Sequence, residues 1–209
     1  MDMDTDARDD DRWMYLAGPL FTLLVVLLVL VQGSPPGEKD SVKEVVAHFT
    51  DKEARTFVSV FLSGPAVAAL LVFVSRLRAG IDDRARAARS LAVAGGGVYG
   101  TAILVSTSVL LATNVSANND MGDVARTLNV LSASLWIPGV IGIGVMLLGA
   151  GLAVLRTGIL PRWLGWVATV VGVVSFLGPG GFAGFLVGPL WIGVAGVMLY
   201  LRKPVAATV

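Results

Sequence analysis

The sequence has no cysteine, a single histidine and few charged residues, since Asp, Glu, Lys and Arg together make up only 15 % of the chain. The lack of cysteine excludes disulfides, thiolate metal sites, iron–sulfur clusters and a cysteine nucleophile. The net charge of +1 produces no overall field that would attract nucleic acid, so no nucleic-acid partner is expected. What the chain has in excess is apolar surface: 55 % of its 209 residues are hydrophobic and the mean hydropathy is +0.78. These values lie outside the range of soluble domains and predict the lipid bilayer as the main partner.

Six apolar runs, separated by polar or Gly/Pro-rich segments, occupy most of the sequence. About 20 residues of helix cross the roughly 30 Å hydrocarbon layer of a bilayer. The runs therefore predict an all-α fold, a polytopic transmembrane bundle of six helices. The predicted spans are residues 13–31, 57–74, 91–112, 134–155, 163–177 and 182–201. The fifth has the shortest apolar core, but a helix from 161 to 179 would be roughly 28 Å long, which is enough to cross.

Lysine and arginine are divided unequally between the two sets of connections. Eleven lie in the termini and connections of one side, and five lie in those of the other. Cytoplasmic loops of membrane proteins are enriched in these residues, so the pattern predicts a multi-pass protein with both termini in the cytoplasm. Arginines next to the spans either set this topology or bind anionic lipid headgroups. The arginines to which we assign one of these roles are Arg76, Arg78, Arg84, Arg86, Arg89, Arg156 and Arg162.

Both ends of the chain are predicted to be tails. Residues 1–12 contain six aspartates and few apolar side chains, which predicts a disordered acidic cytoplasmic tail. Residues 13–203 form the predicted six-helix transmembrane domain, and residues 204–209 form a C-terminal tail.

The first outer loop contains a pattern typical of a short amphipathic helix. Ser41 and Glu44 have the spacing of a capping box, in which each side chain bonds the backbone N–H of the other residue. Apolar residues follow at helical spacing, while the opposite face is polar. We expect a helix over about residues 41–49 that lies on the outer membrane surface. Thr50 and Asp123 are predicted to cap the helices that lead into the second and fourth spans.

Gly-Pro occurs inside three of the predicted spans, in the strings LAGPL, LSGPA and LVGPL. Proline removes a backbone donor and kinks a helix, and a further proline is expected to bend the helix of the fourth span. Kinks that face one another would shape a cavity, as broken helices do in transporters; otherwise they are the ordinary proline and glycine of membrane helices. The candidate cavity or kink residues are Gly18, Pro19, Gly64, Pro65, Pro138, Gly188 and Pro189.

Charged residues do not occur in the six predicted span cores. An ionisable group within a membrane usually marks a proton relay, an ion site or a catalytic acid. We therefore expect no catalytic residue, no cofactor and no metal site, and we expect that the protein is not an enzyme. Glycines at four-residue spacing, such as Gly96 with Gly100 and Gly184 with Gly188, predict close packing of helix backbones. Their packing partner is either another helix of the chain or a second copy in a homodimer.

Two segments of the chain resemble a group of bacterial proteins. The stretch LRTGILPRWLGW at residues 155–166 and the segment EVVAHFTDKEAR at residues 44–55 carry the resemblance. Both are similar to small six-span integral membrane proteins of high-GC bacteria, a family defined as a domain of unknown function. The resemblance covers most of the chain after the acidic tail. It implies a location in the bacterial cytoplasmic membrane, and it implies no activity because the group has no catalytic motif.

Three functions remain open from the sequence. The favoured hypothesis is a non-catalytic interaction, regulatory or envelope-associated component, which would bind a protein partner. The first alternative is a transporter or permease for a neutral or amphipathic small molecule, with kinked helices around a lumen. The second is a lipid-active membrane enzyme, which would need outer acidic and histidine side chains clustered beside an apolar groove. Those side chains are Glu44, His48, Asp51, Asp120 and Asp123.

Overall fold

The fold is all-α, as the sequence predicts. A computed structural model describes residues 12–202, except for the side chain of Pro179, and this part of the chain contains helices and turns but no strand. The acidic tail, apart from Arg12, and the C-terminal tail lie outside the described residues, as do Arg8 and Lys203 of the inner connections.

Eight α-helices and three short 3₁₀ helices make up the described part. The α-helices are α1 (Ala17–Gln32), α2 (Val42–Asp51), α3 (Glu53–Gly80), α4 (Arg86–Ala117), α5 (Gly122–Ser134), α6 (Trp136–Thr157), α7 (Arg162–Val174) and α8 (Gly181–Leu201). The 3₁₀ helices are Arg12–Leu16, Asp83–Ala85 and Gly178–Gly180. The first two lead directly into α1 and α4.

Five helical segments of residues 12–202 are long and apolar enough to cross a membrane. They are Arg12–Gln32, Glu53–Gly80, Asp83–Ala117, Gly122–Thr157 and Gly181–Leu201. The segment predicted as the fifth span is shorter, because the 13 residues of α7 cover about 20 Å. It nevertheless runs antiparallel along α6, with Gly165 against Leu155 at one end and Gly172 against Gly144 at the other. The bundle is thus multi-pass, and the count of six crossings stays a prediction.

Connections lie at two ends of the bundle. At one end, the guanidinium of Arg12 donates to the carbonyls of Tyr200 and Arg202 at 2.7 and 2.9 Å, so the first and last described segments meet. The connection between α3 and α4 is at the same end, because a Cβ on Gly80 would lie 2.9 Å from the Ile159 side chain in the α6–α7 turn. We call this end the basic end; it comprises residues 12–16, 76–89, 156–162 and 202.

A folded cap closes the opposite end. We use the word cap for residues 33–51 together with residues 110–134, which contact each other through α2, α4 and α5. Its apolar side chains form a core of their own, separate from the main core of the bundle. The residues of this second core are Val45, Phe49, Leu110, Ala117 and Ala125.

Glycines set the distances between the helices. A Cβ on Gly142 of α6 would lie 2.5 Å from the backbone nitrogen of Tyr99 in α4, and a Cβ on Gly95 of α4 would lie closer still to the backbone nitrogen of Met146 in α6. Gly100 faces Val67 of α3, and Gly96 faces α3 as well. In α8, Gly188 faces Ile143 of α6, and Gly184 faces Ser175 just after α7. The small-residue faces noted in the sequence therefore pack inside the monomer.

The fourth predicted span corresponds to α6, and the helix that leads into it, α5, is separate. The chain leaves the helix at Leu135, between α5 and α6, and Pro138 lies in the first turn of α6. Proline has no N–H to donate and its ring crowds the carbonyl four residues earlier, here that of Ser134, which is the last residue of α5. The bend predicted at Pro138 is therefore a break three residues before it.

Two predicted helix caps are wrong. Thr50 lies inside α2, because that helix continues to Asp51, and α3 begins after Lys52 without a side-chain cap. α5 begins at Gly122 after Met121, so Asp123 lies in its first turn instead of capping it. An acidic residue there still stabilises the helix, because the free N–H groups of the first turn carry partial positive charge.

Candidate functional site

The Gly-Pro sites do not meet around one lumen. Pro19 lies in the first turn of α1, half-buried, and Pro189 is buried in α8; the hydroxyl of Thr22 on α1 donates to the Pro189 carbonyl at 2.5 Å. Pro65 is exposed on the outer side of α3, because the buried stripe of that helix contains Ser63, Ala66, Val67 and Leu70 instead. Gly64 beside it faces open space.

Helices α1 and α8 contact each other along a line that we call the α1–α8 seam. Four of the seven candidate kink residues lie at this seam or next to it. Gly18 of α1 packs against the Ile192 carbonyl of α8, beside Pro19, and Gly188 precedes Pro189 while facing Ile143 and Leu147. Gly64, Pro65 and Pro138 lie elsewhere, and Pro138 is exposed. The structure thus brings together two of the three Gly-Pro pairs.

All seven predicted arginines lie at the basic end, together with Arg12 and Arg202. The guanidinium of Arg76 lies over the ring of Tyr15, 5.7 Å from its centroid. Arg89 donates to the Ile81 carbonyl at 3.2 Å and to the Asp83 carboxylate at 2.9 Å, which fixes the turn between α3 and α4. The remaining arginines of the predicted set are exposed, namely Arg78, Arg84, Arg86, Arg156 and Arg162.

Within residues 12–202, the basic end contains few carboxylates. Asp82 and Asp83 are the acidic residues of the basic end, and they pair with Arg84 and Arg86 at 3.8 and 3.9 Å as well as with Arg89. Exposed pairs of this kind contribute little to stability. The described basic end therefore presents nine arginines against two aspartates.

The amphipathic helix of the cap forms as predicted, but its apolar face is buried in protein instead of lipid. The capping box is present, with the backbone N–H of Ser41 donating to Glu44 at 2.8 Å and the N–H of Glu44 donating to the Ser41 hydroxyl at 3.3 Å. Val45 is fully buried and Phe49 is 2 % exposed. They pack against α4 and α5, so this face of α2 contacts protein, and the position of the helix on the outer membrane surface stays a prediction.

Buried amide side chains hold the two parts of the cap together. Asn114 of α4, 1 % exposed, donates to the carbonyl of Phe49 at 3.2 Å. Asn129 of α5, 2 % exposed, donates to the carbonyl of Pro36 at 3.3 Å. Arg126 adds a third bond to the Asp40 carbonyl at 3.2 Å. Residues 36–49 are thereby held by three side chains that follow them by more than 60 residues in the sequence.

Two titratable groups of α2 are perturbed by this arrangement. Hydrogen bonds from the backbone and then the side chain of Ser41 lower the pKa of Glu44. Partial burial of the imidazole, and next the charge of Lys52, lower the pKa of His48, so its neutral form is favoured. The imidazole also contacts the ring of Phe49 edge to face, with centroids 5.3 Å apart.

The outer side chains named for a lipid-active enzyme do not form a metal site in the structure. Across residues 12–202, His, Asp and Glu form no group of three or more that would hold a metal ion.

These helices define the class of the protein: it is a multi-pass α-helical membrane protein. No protein-family model matches the chain, and neither a curated protein nor a solved structure matches it.

Sequence reasoning missed the residues that build the cap. Asn114 and Asn129 occur where apolar helices reach polar loops, a position at which an amide is usually solvated, so their burial depends on the tertiary fold. The signal that was present is a polar residue in line with the buried stripe: Asn114 follows Thr107 and Leu110 at helical spacing, and both of these are buried.

Proposed function

We propose that the chain is a non-catalytic interaction component of the bacterial cytoplasmic membrane, and that the cap is the surface it presents to a protein partner. The observation that carries this proposal is the second core, which holds α2 against α4 and α5 independently of the main core. A loop that only joined two spans would need neither this core nor the buried bonds of Asn114 and Asn129. A rigid surface loses less conformational entropy when it binds, which favours a specific partner.

The charge of the cap is consistent with a protein partner. Both signs are interspersed on it, unlike at the basic end, and such a surface matches complementary charges on another protein without attracting a polyanion. The charged residues at and next to the cap are Glu38, Lys39, Asp40, Lys43, Glu44, Asp51, Lys52, Glu53, Arg55, Asp120, Asp123 and Arg126.

In this proposal the basic end faces the cytoplasm and the cap faces outward. The support is the excess of arginine at one end, because basic residues are retained on the cytoplasmic side during insertion. The bacterial location rests on the resemblance of two segments, 44–55 and 155–166.

Reporter fusions test the orientation. Fusions of a cytoplasm-only reporter after Arg84 and at Val209 should be active, and a fusion within residues 34–40 should be silent. The opposite activities would refute the orientation.

A transporter has less support. It depends on kinked helices around a lumen, and Pro65 is on the exposed side of α3, away from the seam that holds Pro19 and Pro189. The backbones of α4 and α6 are in close contact, since a Cβ on Gly142 would lie 2.5 Å from the backbone nitrogen of Tyr99, and this contact leaves no lumen between the two helices.

Crosslinking from the cap tests the proposal, and the chain suits it because it has no cysteine. A single cysteine replaces Ala47, exposed on α2, and in a matched variant a single cysteine replaces Val105, exposed at 44 % on α4 within the bundle. Each carries a thiol-attached photo-crosslinker in intact cells of the source organism. We expect a discrete protein adduct from position 47, weakened when Asn114→Ala loosens the cap, and none from position 105. Equal results from both positions would contradict the proposal.

A further inference from the structure

A groove runs between α1 and α8 on the surface of the bundle. Its volume is about 520 Å³, and it is lined mainly by apolar side chains. The residues that matter here are Pro19, Leu23 and Val26 of α1 and Val194, Val197 and Met198 of α8. Leu23 and Val194 are exposed, so the groove is open to the hydrocarbon layer that surrounds these two spans.

The surface of the groove is apolar because the polar atoms beside it are hydrogen-bonded to each other. The hydroxyl of Thr22 donates to the carbonyls of Pro189 and Gly18 at 2.5 and 3.2 Å, which directs it into the seam. Gly193 makes this possible, since a Cβ there would lie 2.6 Å from the same hydroxyl oxygen. The two helices therefore meet along backbone and small residues, and larger side chains on either side form the walls.

A second depression continues the groove at the basic end. Its volume is about 460 Å³, and it lies between the α6–α7 turn, residues 158–161, and the end of α8 at Leu201 and Arg202. Met198 lines both depressions, so they adjoin each other along α8. The combined cleft is apolar over about 12 Å of α8, from Leu190 to Met198, and ends at a guanidinium.

Arg202 is fixed at that end. Its Nη1 donates to the carbonyls of Gly158 and Ile159, while Nε and Nη2 carry three further N–H donors. Arg162 follows the turn, and the described carboxylates of the basic end, Asp82 and Asp83, lie next to Arg84, Arg86 and Arg89. Among residues 12–202, arginines therefore outnumber carboxylates at this end of the cleft, and the three further N–H donors of Arg202 have the planar geometry that suits phosphate.

We propose that this cleft binds an anionic phospholipid, with its phosphate at Arg202 and one acyl chain between α1 and α8. A ligand that is apolar at the depth of Val194 and anionic at the depth of Arg202 has the two-part chemistry of a phospholipid. Because the surrounding lipid is as apolar as the groove, the groove favours an acyl chain only through its shape. The arginine selects the headgroup by its charge. This site is independent of the cap and of its partner.

Native mass spectrometry of the full chain tests the headgroup. The probes are phosphatidylglycerol and phosphatidylcholine with identical acyl chains, offered in equal amounts in detergent micelles. We expect the protein to retain phosphatidylglycerol about tenfold better, the effect of one charge-assisted pair. Arg202→Gln should abolish the preference, and Arg202→Lys should keep part of it. Equal retention of the two lipids by the unaltered protein, or an unchanged preference in Arg202→Gln, would overturn the proposal.

A second pair of variants tests the groove without altering the α6–α7 turn. Val194→Trp fills the groove, and Val105→Trp places the same side chain on α4; both valines are 44 % exposed. Val194→Trp should reduce the retention of both lipids several-fold, and Val105→Trp should not. If the two variants retain lipid equally, the acyl chain does not lie between α1 and α8 and the proposal is wrong.

Discussion

Replacing Gly95 by alanine should separate α4 from α6. The added Cβ would lie 2.7 Å from both the Gly142 carbonyl oxygen and the Met146 Cα, and closer still to the Met146 nitrogen. These neighbours are backbone atoms in the middle of a helix, so they cannot turn aside as a flexible side chain would. Gly97, two residues later in α4, provides a matched control because nothing lies within 4 Å of the corresponding position.

The change in the free energy of unfolding follows from two opposing effects. Alanine stabilises a helix by about 0.5–1 kcal/mol relative to glycine, and this gain is common to both variants. Overpacking of a close-packed interior costs about 1–3 kcal/mol, and rigid backbone contacts place Gly95→Ala near the upper limit. The difference between the two variants contains only the overpacking term, about 3 kcal/mol. For a chain of this size that corresponds to melting temperatures about 6–12 °C apart.

Thermal unfolding in detergent, followed by far-ultraviolet circular dichroism, measures the difference. Gly97→Ala should melt at or slightly above the temperature of the unaltered protein, and Gly95→Ala well below it. Identical melting temperatures for the two variants would refute the claim that glycine is needed at 95 for contact between helix backbones.

Three further outcomes concern the cap and the α1–α8 seam. Asn114→Ala leaves the Phe49 carbonyl without its donor, at a cost of about 1–3 kcal/mol, so amide exchange in α2 should accelerate while exchange in α6 stays unchanged. Acidification should loosen α2 in two stages. The lowered pKa of His48 stabilises the fold above pH 6.5, the usual pKa of histidine, and this contribution is lost as the pH falls below that value. The lowered pKa of Glu44 stabilises the fold above pH 4.5, and this contribution is lost as the pH falls further. Amide exchange of α2 against pH should show both stages, and His48→Gln should remove the first alone. Thr22→Val removes the bond to the Pro189 carbonyl and should lower the free energy of unfolding by about 1 kcal/mol in a detergent titration; no change would show that the bond is not stabilising.

The apolar runs of the sequence predicted where the apolar helices lie but not where they begin and end. The run at 57–74 corresponds to α3, which extends from 53 to 80, because polar residues continue a helix once it has left the hydrocarbon layer. At the fifth run, 163–177, the helix is shorter than the apolar run. There α7 ends at Val174, and Gly178 adopts a left-handed backbone with φ of +55°, which glycine allows and a hydrophobic count does not reveal.

The candidate site was predictable only in part. The arginines of the basic end could be grouped from the loops in which they occur, because an alternating topology places every second loop together. The kink hypothesis could not be resolved in the same way, since the direction of Pro65 depends on which face of α3 packs on α4. The cap and the lipid cleft depend on contacts between distant residues, such as Thr22 with Pro189, which are 167 positions apart.

The second core has a consequence for biosynthesis. Leu110 and Ala125, against which Phe49 packs, are synthesised 61 and 76 residues later. At about 5–20 residues per second, the apolar stripe of α2 waits about 4–15 s for these partners to emerge. During that interval the apolar side chains of α2 lack the partners that bury them in the finished protein, and the second core is completed only after α5 has been made.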